Sequence, residues 1–288
     1  MNILISGYSN YIIKDLVSFF SQDKKKTIIA TYKSKKPGLK KKNIIFKKLD
    51  LKKKICKIKG VNILIHGASA TPLKNYSKKD YKKINILGFK NILKAICDKD
   101  LSHVVLFSTV SVYGNPKSII RRPINENNPL LPNNEYAKTK VSMEKILTQF
   151  CKKKKICGLT LRFPGVLGRR RNKNNFLSNV IRSIKEKKSF KVYGPDNMFN
   201  NMIGTEDISK IILKFFKTKK KKNMIFNCAV SEKRKILKII YIIEDLVGKK
   251  AKFKLINSSY NSFVINNSKL IKNGYKVSSI KTTLKKII

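Results

Sequence analysis

The sequence predicts an α/β protein: a doubly wound parallel (Rossmann) sheet with a smaller C-terminal lobe interleaved with it. Three observations lead there. Short apolar runs alternate with longer stretches whose apolar residues recur at helical spacing, the βαβ rhythm of a parallel sheet covered on both faces. The chain opens on such a run, Asn2-Ile3-Leu4-Ile5-Ser6, which leads into Gly7. At 288 residues and 42% hydrophobic, it is long enough to bury one large core and carry a second, smaller one.

Taken in order, the pattern predicts strands over 2–6, 27–32, 44–47, 62–66, 103–108 and 158–163, with helices over 11–21, 79–98 and 135–153 between them. This places the first domain at 1–168. After Gly168 the rhythm loosens into a basic loop (Arg169 to Lys173), a helix over 175–186, a strand over 190–193 and the turn Gly194-Pro195-Asp196-Asn197. A helix starting at Glu206-Asp207 runs to Phe216, with Asp207 suited to a first-turn residue that complements the helix dipole. Segments 224–228, 234–247 and 263–271 complete a lobe over 169–288 whose pieces return to the first domain.

The charge balance is extreme, with 66 Lys+Arg against 16 Asp+Glu and a net charge of +50. Such an excess attracts polyanions. The lysines are scattered in short clusters, however, and Asn, Ile, Phe and Tyr, which also have AT-rich codons, are abundant alongside them. No helix-turn-helix, zinc-finger or RNA-binding sheet signature accompanies them, so no dedicated nucleic-acid module is expected. Five cysteines without a Cys-x-x-Cys, and two histidines, His66 and His103, read as reduced thiols in a protein without a metal site. The immediate strand start and the lack of an apolar run of about 18 residues predict a cytoplasmic protein with no signal peptide or membrane span.

One spacing points to chemistry. In Asn133-Asn134-Glu135-Tyr136-Ala137-Lys138-Thr139-Lys140, Tyr136 and Lys140 lie four apart and share a helix face. An ammonium beside a phenol favours the phenolate, yet basic action near neutrality needs a shift of about three units, more than one lysine supplies. A cationic nicotinamide nearby would supply the rest. In a lysine-rich chain the same spacing also suits a solvated helix face. Upstream, the strand Val104-Val105-Leu106-Phe107 ends in Ser108-Thr109-Val110-Ser111-Val112-Tyr113-Gly114, which sets hydroxyls beyond a strand's carboxyl end, where open α/β sheets bind ligands.

A hydroxyl-bearing strand end, a proline-rich loop and a Tyr-x-x-x-Lys helix resemble the extended short-chain dehydrogenase/reductase superfamily, in particular its NAD-dependent epimerase/dehydratase family. Asp50-Leu51, Ile63-Leu64-Ile65-His66-Gly67-Ala68-Ser69, Asn85-Ile86-Leu87-Gly88 and Leu161-Arg162-Phe163-Pro164-Gly165-Val166-Leu167-Gly168 extend the likeness over nearly the whole chain. The resemblance implies Thr109, Tyr136 and Lys140 as catalytic residues, with Ser111 as the alternative hydroxyl. For the cofactor it implies Gly7, Asn10, Tyr11, Ile12, Lys33, Asp50, Leu51, Gly67, Ala68, Ser108, Tyr136, Lys140 and Pro164. Asp50 would accept from the adenine amino group, although a plain strand-end turn explains it equally; Pro164 would lie against the nicotinamide.

The family's Gly-x-x-Gly-x-x-Gly turn is reduced here to Gly7, with Asn10 and Ile13 in the other two glycine places. Asparagine tolerates positive φ. Ile13 should push the helix from the sheet or demand small neighbours, which would weaken cofactor binding. The second strand ends in Thr31-Tyr32-Lys33-Ser34-Lys35 without an acidic residue, so Lys33 or Lys35 could pair a 2′-phosphate, favouring NADP over NAD. Dehydratases of the family carry an Asp-Glu pair after the threonine; Val110-Ser111 here disfavour dehydration. Gly165 and Asn200 stand where an Asn and an Arg often meet a sugar nucleotide, which argues against a standard UDP-hexose. The Arg169-Arg170-Arg171 run, with Asn175 behind it, could clasp a diphosphate or simply be solvated. The expected function is therefore an NAD(P)-dependent oxidoreductase or epimerase of a nucleotide-linked or related sugar, working through a transient keto intermediate. The alternative is a catalytically weakened cofactor-binding or scaffold protein of the same fold. A helix-pair homodimer is common in the superfamily.

Overall fold

The computed structural model describes residues 1–96, 99–114, 123–168, 175–256 and 263–288. The predicted rhythm is present as β1 (Asn2–Ser6), α1 (Tyr11–Phe20), β2 (Thr27–Tyr32), β3 (Ile44–Lys48) and β4 (Ile63–His66). These are followed by α2 (Lys78–Tyr81), α3 (Gly88–Ile96), β5 (His103–Thr109), α4 (Glu135–Lys154), β6 (Cys157–Phe163) and β7 (Gly165–Leu167). The remaining elements are α5 (Phe176–Lys185), β8 (Ser189–Tyr193), β9 (Met198–Phe199), β10 (Met202–Gly204), α6 (Thr205–Phe215), β11 (Asn223–Asn227) and β12 (Arg234–Lys235), then α7 (Ile236–Val247), β13 (Lys252–Ile256), α8 (Ser268–Lys272) and α9 (Ile280–Lys285).

Seven parallel strands form the main sheet in the order β11-β6-β5-β4-β1-β2-β3. The strand order reverses at β1, between β2 and β4, and an open sheet of this kind has its ligand crevice outside the strand ends at that point. Alternation along each strand divides the core. Ile3, Ile5, Ile63, Ile65, Val105 and Phe107 pack with α1 and α6 on one face, while Leu4, Leu64, Val104 and Leu106 pack with α3 and α4 on the other. Each such fully buried side chain contributes about 1.5–3 kcal/mol of transfer free energy.

Local chemistry sets the helix ends. Asn10 caps α1 by accepting from the Ile12 amide, and Ile13, Leu16, Val17 and Phe20, at helical spacing, turn to the core. Asn134 caps α4 through the Ala137 amide, and Lys152, Lys153 and Lys154 in the last turn face the negative end of the dipole. The helix expected over 79–98 is less regular: between α2 and α3 lies a π-helical stretch, Lys82–Leu87. Its wider turn carries Asn85, whose amide bridges the Ala70 backbone and the Thr139 hydroxyl of α4.

Beyond residue 168 the chain does return to the main sheet, because β11 pairs with β6 and α6 packs on α1. A separate apolar cluster of Leu177, Ile181, Ile184, Ile239, Ile240, Ile243, Ile280 and Leu284 forms the core of the remainder. The short strands β7, β9 and β10 were not foreseen, nor were β13, which pairs in parallel with β8, and α9. The 263–271 segment contributes an isolated bridge, Ile124 to Ile265, before α8. Asp207 does lie in the first turn of α6, but its carboxylate accepts from the Ser278 amide and hydroxyl, both at 2.8 Å, and so clips the C-terminal segment to that helix.

Candidate functional site

The crevice at the β1 and β4 ends is built on close backbone approach. Gly7 has φ +99°, and a Cβ there would lie 2.9 Å from the Ala68 backbone. The Ser6 hydroxyl contacts the His66 ring at 2.9 Å and accepts from the Ala68 amide at 3.3 Å, tying the two strand ends together. Burial, helped by the Lys140 charge, drives the His66 imidazole down to about 3, so the ring is neutral.

Ile13 does not push α1 off the sheet. Its side chain is fully buried, and a Cβ on Gly67 would come within 2.4 Å of its Cδ1; glycine at position 67 is the compensating small neighbour. Asn10 needs no positive φ, since it sits at φ −81° as an ordinary N-cap. The Ile12 amide is thereby bonded to the Asn10 side chain. Tyr11 points its hydroxyl at the Val166 carbonyl, 2.8 Å away, and burial pushes its phenol up to about 12. At the far end of the crevice the exposed Lys33 ammonium lies 3.9 Å from the Asp50 carboxylate, which also accepts from the Lys52 amide as a strand-end turn does. Leu51 is buried and packs where Gly88 has no side chain. Pro164 is half-buried between β6 and β7.

On the other side, α4 lies along β5. The Lys140 ammonium is 2% exposed, donates to the Phe107 carbonyl at 2.8 Å and stands 5.6 Å from the centre of the Tyr136 ring. Thr109 closes β5, its hydroxyl accepting from the Ser111 amide and donating to the Ser111 hydroxyl at 3.1 Å. Two expectations are corrected here. Ser108 does not offer its hydroxyl to a ligand, because it donates to Glu144 at 2.5 Å in the buried seam. Nor does Lys140 bring the Tyr136 phenol down: burial, and then the neighbouring Tyr81, raise it above the ordinary tyrosine range. Burial lowers Lys140 itself to about 7, against the opposing pull of Glu144.

Sequence reading missed the polar network beneath. Glu144 accepts a two-pronged pair from Arg162, at 3.1 and 2.7 Å; Arg162 donates to the Tyr113 hydroxyl, which donates to Asn227, whose amide donates to Glu126. A signal existed: Lys140, Met143, Glu144, Leu147 and Cys151 fall on one helical face, so the carboxylate had to be buried with the lysine. Asn200, in the place of a phosphate-gripping arginine, is a buried staple to the Ile265 backbone and the Val230 carbonyl. Gly165 lies against Asn201, whose carbonyl a Cβ would meet at 3.2 Å. Asn175 caps α5 through the Ser178 amide; the Arg169 to Lys173 run lies outside the described residues. Among the described residues no cluster suited to a metal ion occurs, and the described cysteines, Cys56, Cys151, Cys157 and Cys228, are free thiols.

A reversed-order parallel sheet, glycines at its switch point and a helix carrying Tyr136 and the buried Lys140 beside it define a Rossmann-type α/β protein. The model of the NAD dependent epimerase/dehydratase family matches residues 3–229, and the chain belongs to that family. It is 25% identical to an uncharacterized UDP-glucose epimerase of Bacillus subtilis (strain 168), over 87% of this chain and 84% of that protein. It is 28% identical to a UDP-glucose 4-epimerase of Lactobacillus helveticus, over 50% of this chain and 46% of that enzyme. In fold it is similar to the UDP-glucuronic acid 4-epimerase of Bacillus cereus, solved in complex with NAD (TM-score 0.81, 19% identity, 100% and 97% of the two chains). It is likewise similar to the UDP-N-acetylglucosamine 4-epimerase of Methanobrevibacter ruminantium M1 (TM-score 0.80, 23% identity, 99% and 96%). No helix among the described residues is long and apolar enough to cross a membrane.

Proposed function

We propose that this protein is an NAD(P)-dependent oxidoreductase or epimerase acting on a nucleotide-linked or related sugar. The observation that carries the reading is the buried Lys140, held between the Phe107 carbonyl and the Tyr136 ring at the end of β5, in a chain of the epimerase family. The crevice suits a dinucleotide: Gly7, Gly67 and Ala68 keep its floor narrow, and Ile13 is sunk into the core. Asn10, Tyr11, Ile12, Asp50, Leu51, Pro164 and Lys140 are the other residues that would hold the cofactor. Lys33, beside Asp50, would be the residue to meet a 2′-phosphate, a reading that favours NADP. A bound oxidised nicotinamide supplies the hydride acceptor and a positive charge.

In this reading Tyr136 would take the proton of a sugar hydroxyl as the hydrogen on the same carbon left as hydride to the bound nicotinamide, giving a transient ketone. It would return the proton when hydride came back, while the Thr109 hydroxyl bonds the same oxygen. The raised Tyr136 phenol keeps its proton even with Lys140 beside it, so proton abstraction would wait for the further positive charge of a bound oxidised cofactor. Val110 and Ser111 offer no acid and base for eliminating water, which leaves redox chemistry or epimerisation.

The test is calorimetric titration with NAD and NADP, followed by turnover of UDP-glucose, UDP-N-acetylglucosamine and UDP-glucuronic acid. The expectation is binding of at least one cofactor, and a loss of about 10²-fold or more in turnover of an accepted sugar on Tyr136→Phe. Absence of cofactor binding at millimolar concentration sinks the catalytic reading. A second reading, a scaffold that retains the fold, is favoured by the Asn10 cap, which takes up the Ile12 amide of the turn. It predicts cofactor binding that is weak or absent and turnover indifferent to Tyr136.

A further inference from the structure

Lys140 and Glu144 are successive-turn neighbours on α4, and both reach the same short stretch of β5. Lys140 donates to the Phe107 carbonyl, and one residue on, the Ser108 hydroxyl donates to Glu144. Thr109 follows directly. The carboxylate is 3% exposed and all its contacts are directional: Ser108 and the Arg162 Nε on one oxygen, Arg162 Nη2 on the other. Arg162 is equally buried and is fixed in turn by Tyr113, itself bonded to Asn227.

We propose that Glu144 is a positioning residue for the Tyr136/Lys140 pair. By clamping Ser108 of β5 and Arg162 of β6 to α4, it fixes the distance at which Lys140 and Thr109 meet a ligand. Neutral His66, the Tyr113, Tyr136 and Tyr81 phenols and Arg162 also face this seam, with Glu126 beyond Asn227; Glu144 is the buried carboxylate among them, on the same helix as Lys140 and bonded to Arg162. Among the described acidic residues of a chain of net charge +50, Glu144 is thus the one buried against the candidate site. The network also reaches the C-terminal part of the chain through Asn227, whose side-chain amide donates to the Ile124 and Asn266 carbonyls. The backbone at Ile124 and Asn266 is therefore tied to the same hydrogen-bonded network as Glu144.

The inference rests on the reading of Lys140 as a cofactor-holding residue, and a double-mutant cycle separates the two. Affinity for whichever of NAD and NADP the parent binds is measured by calorimetry for Lys140→Met, Glu144→Gln and the double variant, with thermal melts on each. Expected are losses of about tenfold for each single variant and no further loss in the double, since both act through one ammonium. Ser108→Ala, which removes one clamp without leaving a charge unpaired, should lose about threefold and be absorbed in the same way; it carries the cycle if Glu144→Gln does not fold. A purely structural role for Glu144 would lower the melting temperature while the affinity losses multiplied, and that outcome overturns the proposal. So does parent-like affinity in Glu144→Gln when Lys140→Met is weakened. If Lys140→Met binds as the parent does, the reading of Lys140 falls first and the positioning role with it.

Discussion

Two seams flank the candidate crevice, and they are built from opposite materials. Where α1 meets β1 and β4, departures from the family's glycine pattern are absorbed by apolar repacking, with Ile13 filling the space that Gly67 leaves. Where α4 meets β5 and β6, a lysine, a glutamate and an arginine are buried with partners of fixed geometry. An apolar seam tolerates exchange of volume between neighbours, whereas a buried ionic seam tolerates no single loss, because the survivor keeps its charge without its partner. The first can drift in sequence while keeping its shape; the second cannot.

The largest test of that contrast is Arg162→Ala. It leaves Glu144 unpaired and should destabilise by about 3–5 kcal/mol in urea melts; a change below 1 kcal/mol would show that water or rearrangement replaces the arginine. The pH dependence should enter through His66, at the end of β4 and within reach of the Lys140 charge. Its folded value is depressed to about 3 from 6.5, so the unfolded chain binds the extra proton between those limits, and stability should fall as pH drops from about 6.5 toward 3. His66→Asn should flatten that part of the stability curve, read as melting temperature against pH relative to the parent. Smallest is the apolar seam: Gly67→Ala should cost about 1–3 kcal/mol by overpacking Ile13, and Ile13→Val in the same chain should recover part of it. Failure of the second change to help would mean that the clash lies with Phe107, the next nearest neighbour of that Cβ.

The sheet was legible because its strands are apolar on both sides and its helices carry 3.6-residue periodicity, so Asn2–Ser6 and His103–Thr109 could be placed from local pattern. Tyr136 and Lys140 were legible for the same reason, being one helical turn apart. Partners distant in sequence were not. Ser108 read as a ligand hydroxyl because strand-end position indicates where a side chain sits, not that a glutamate 36 residues later will claim it. The direction of the Tyr136 shift was misjudged because spacing gives proximity to a charge but not the burial that outweighs it. The π-helical stretch had no local signal, since its Asn85 bonds depend on Ala70 and Thr139 arriving from elsewhere.

The pairing of β11 with β6 has a bearing on how the chain is made. β6 ends at Phe163 and its outer partner begins at Asn223, 60 residues later (223 − 163). At a synthesis rate of roughly 5–20 residues per second, the growing chain exposes an apolar, unpaired strand edge for roughly 3–12 seconds before the residues that cover it emerge. During that interval self-association competes with folding, and the lysines that precede this edge, Lys152 to Lys155, supply like-charge repulsion that opposes a second nascent copy.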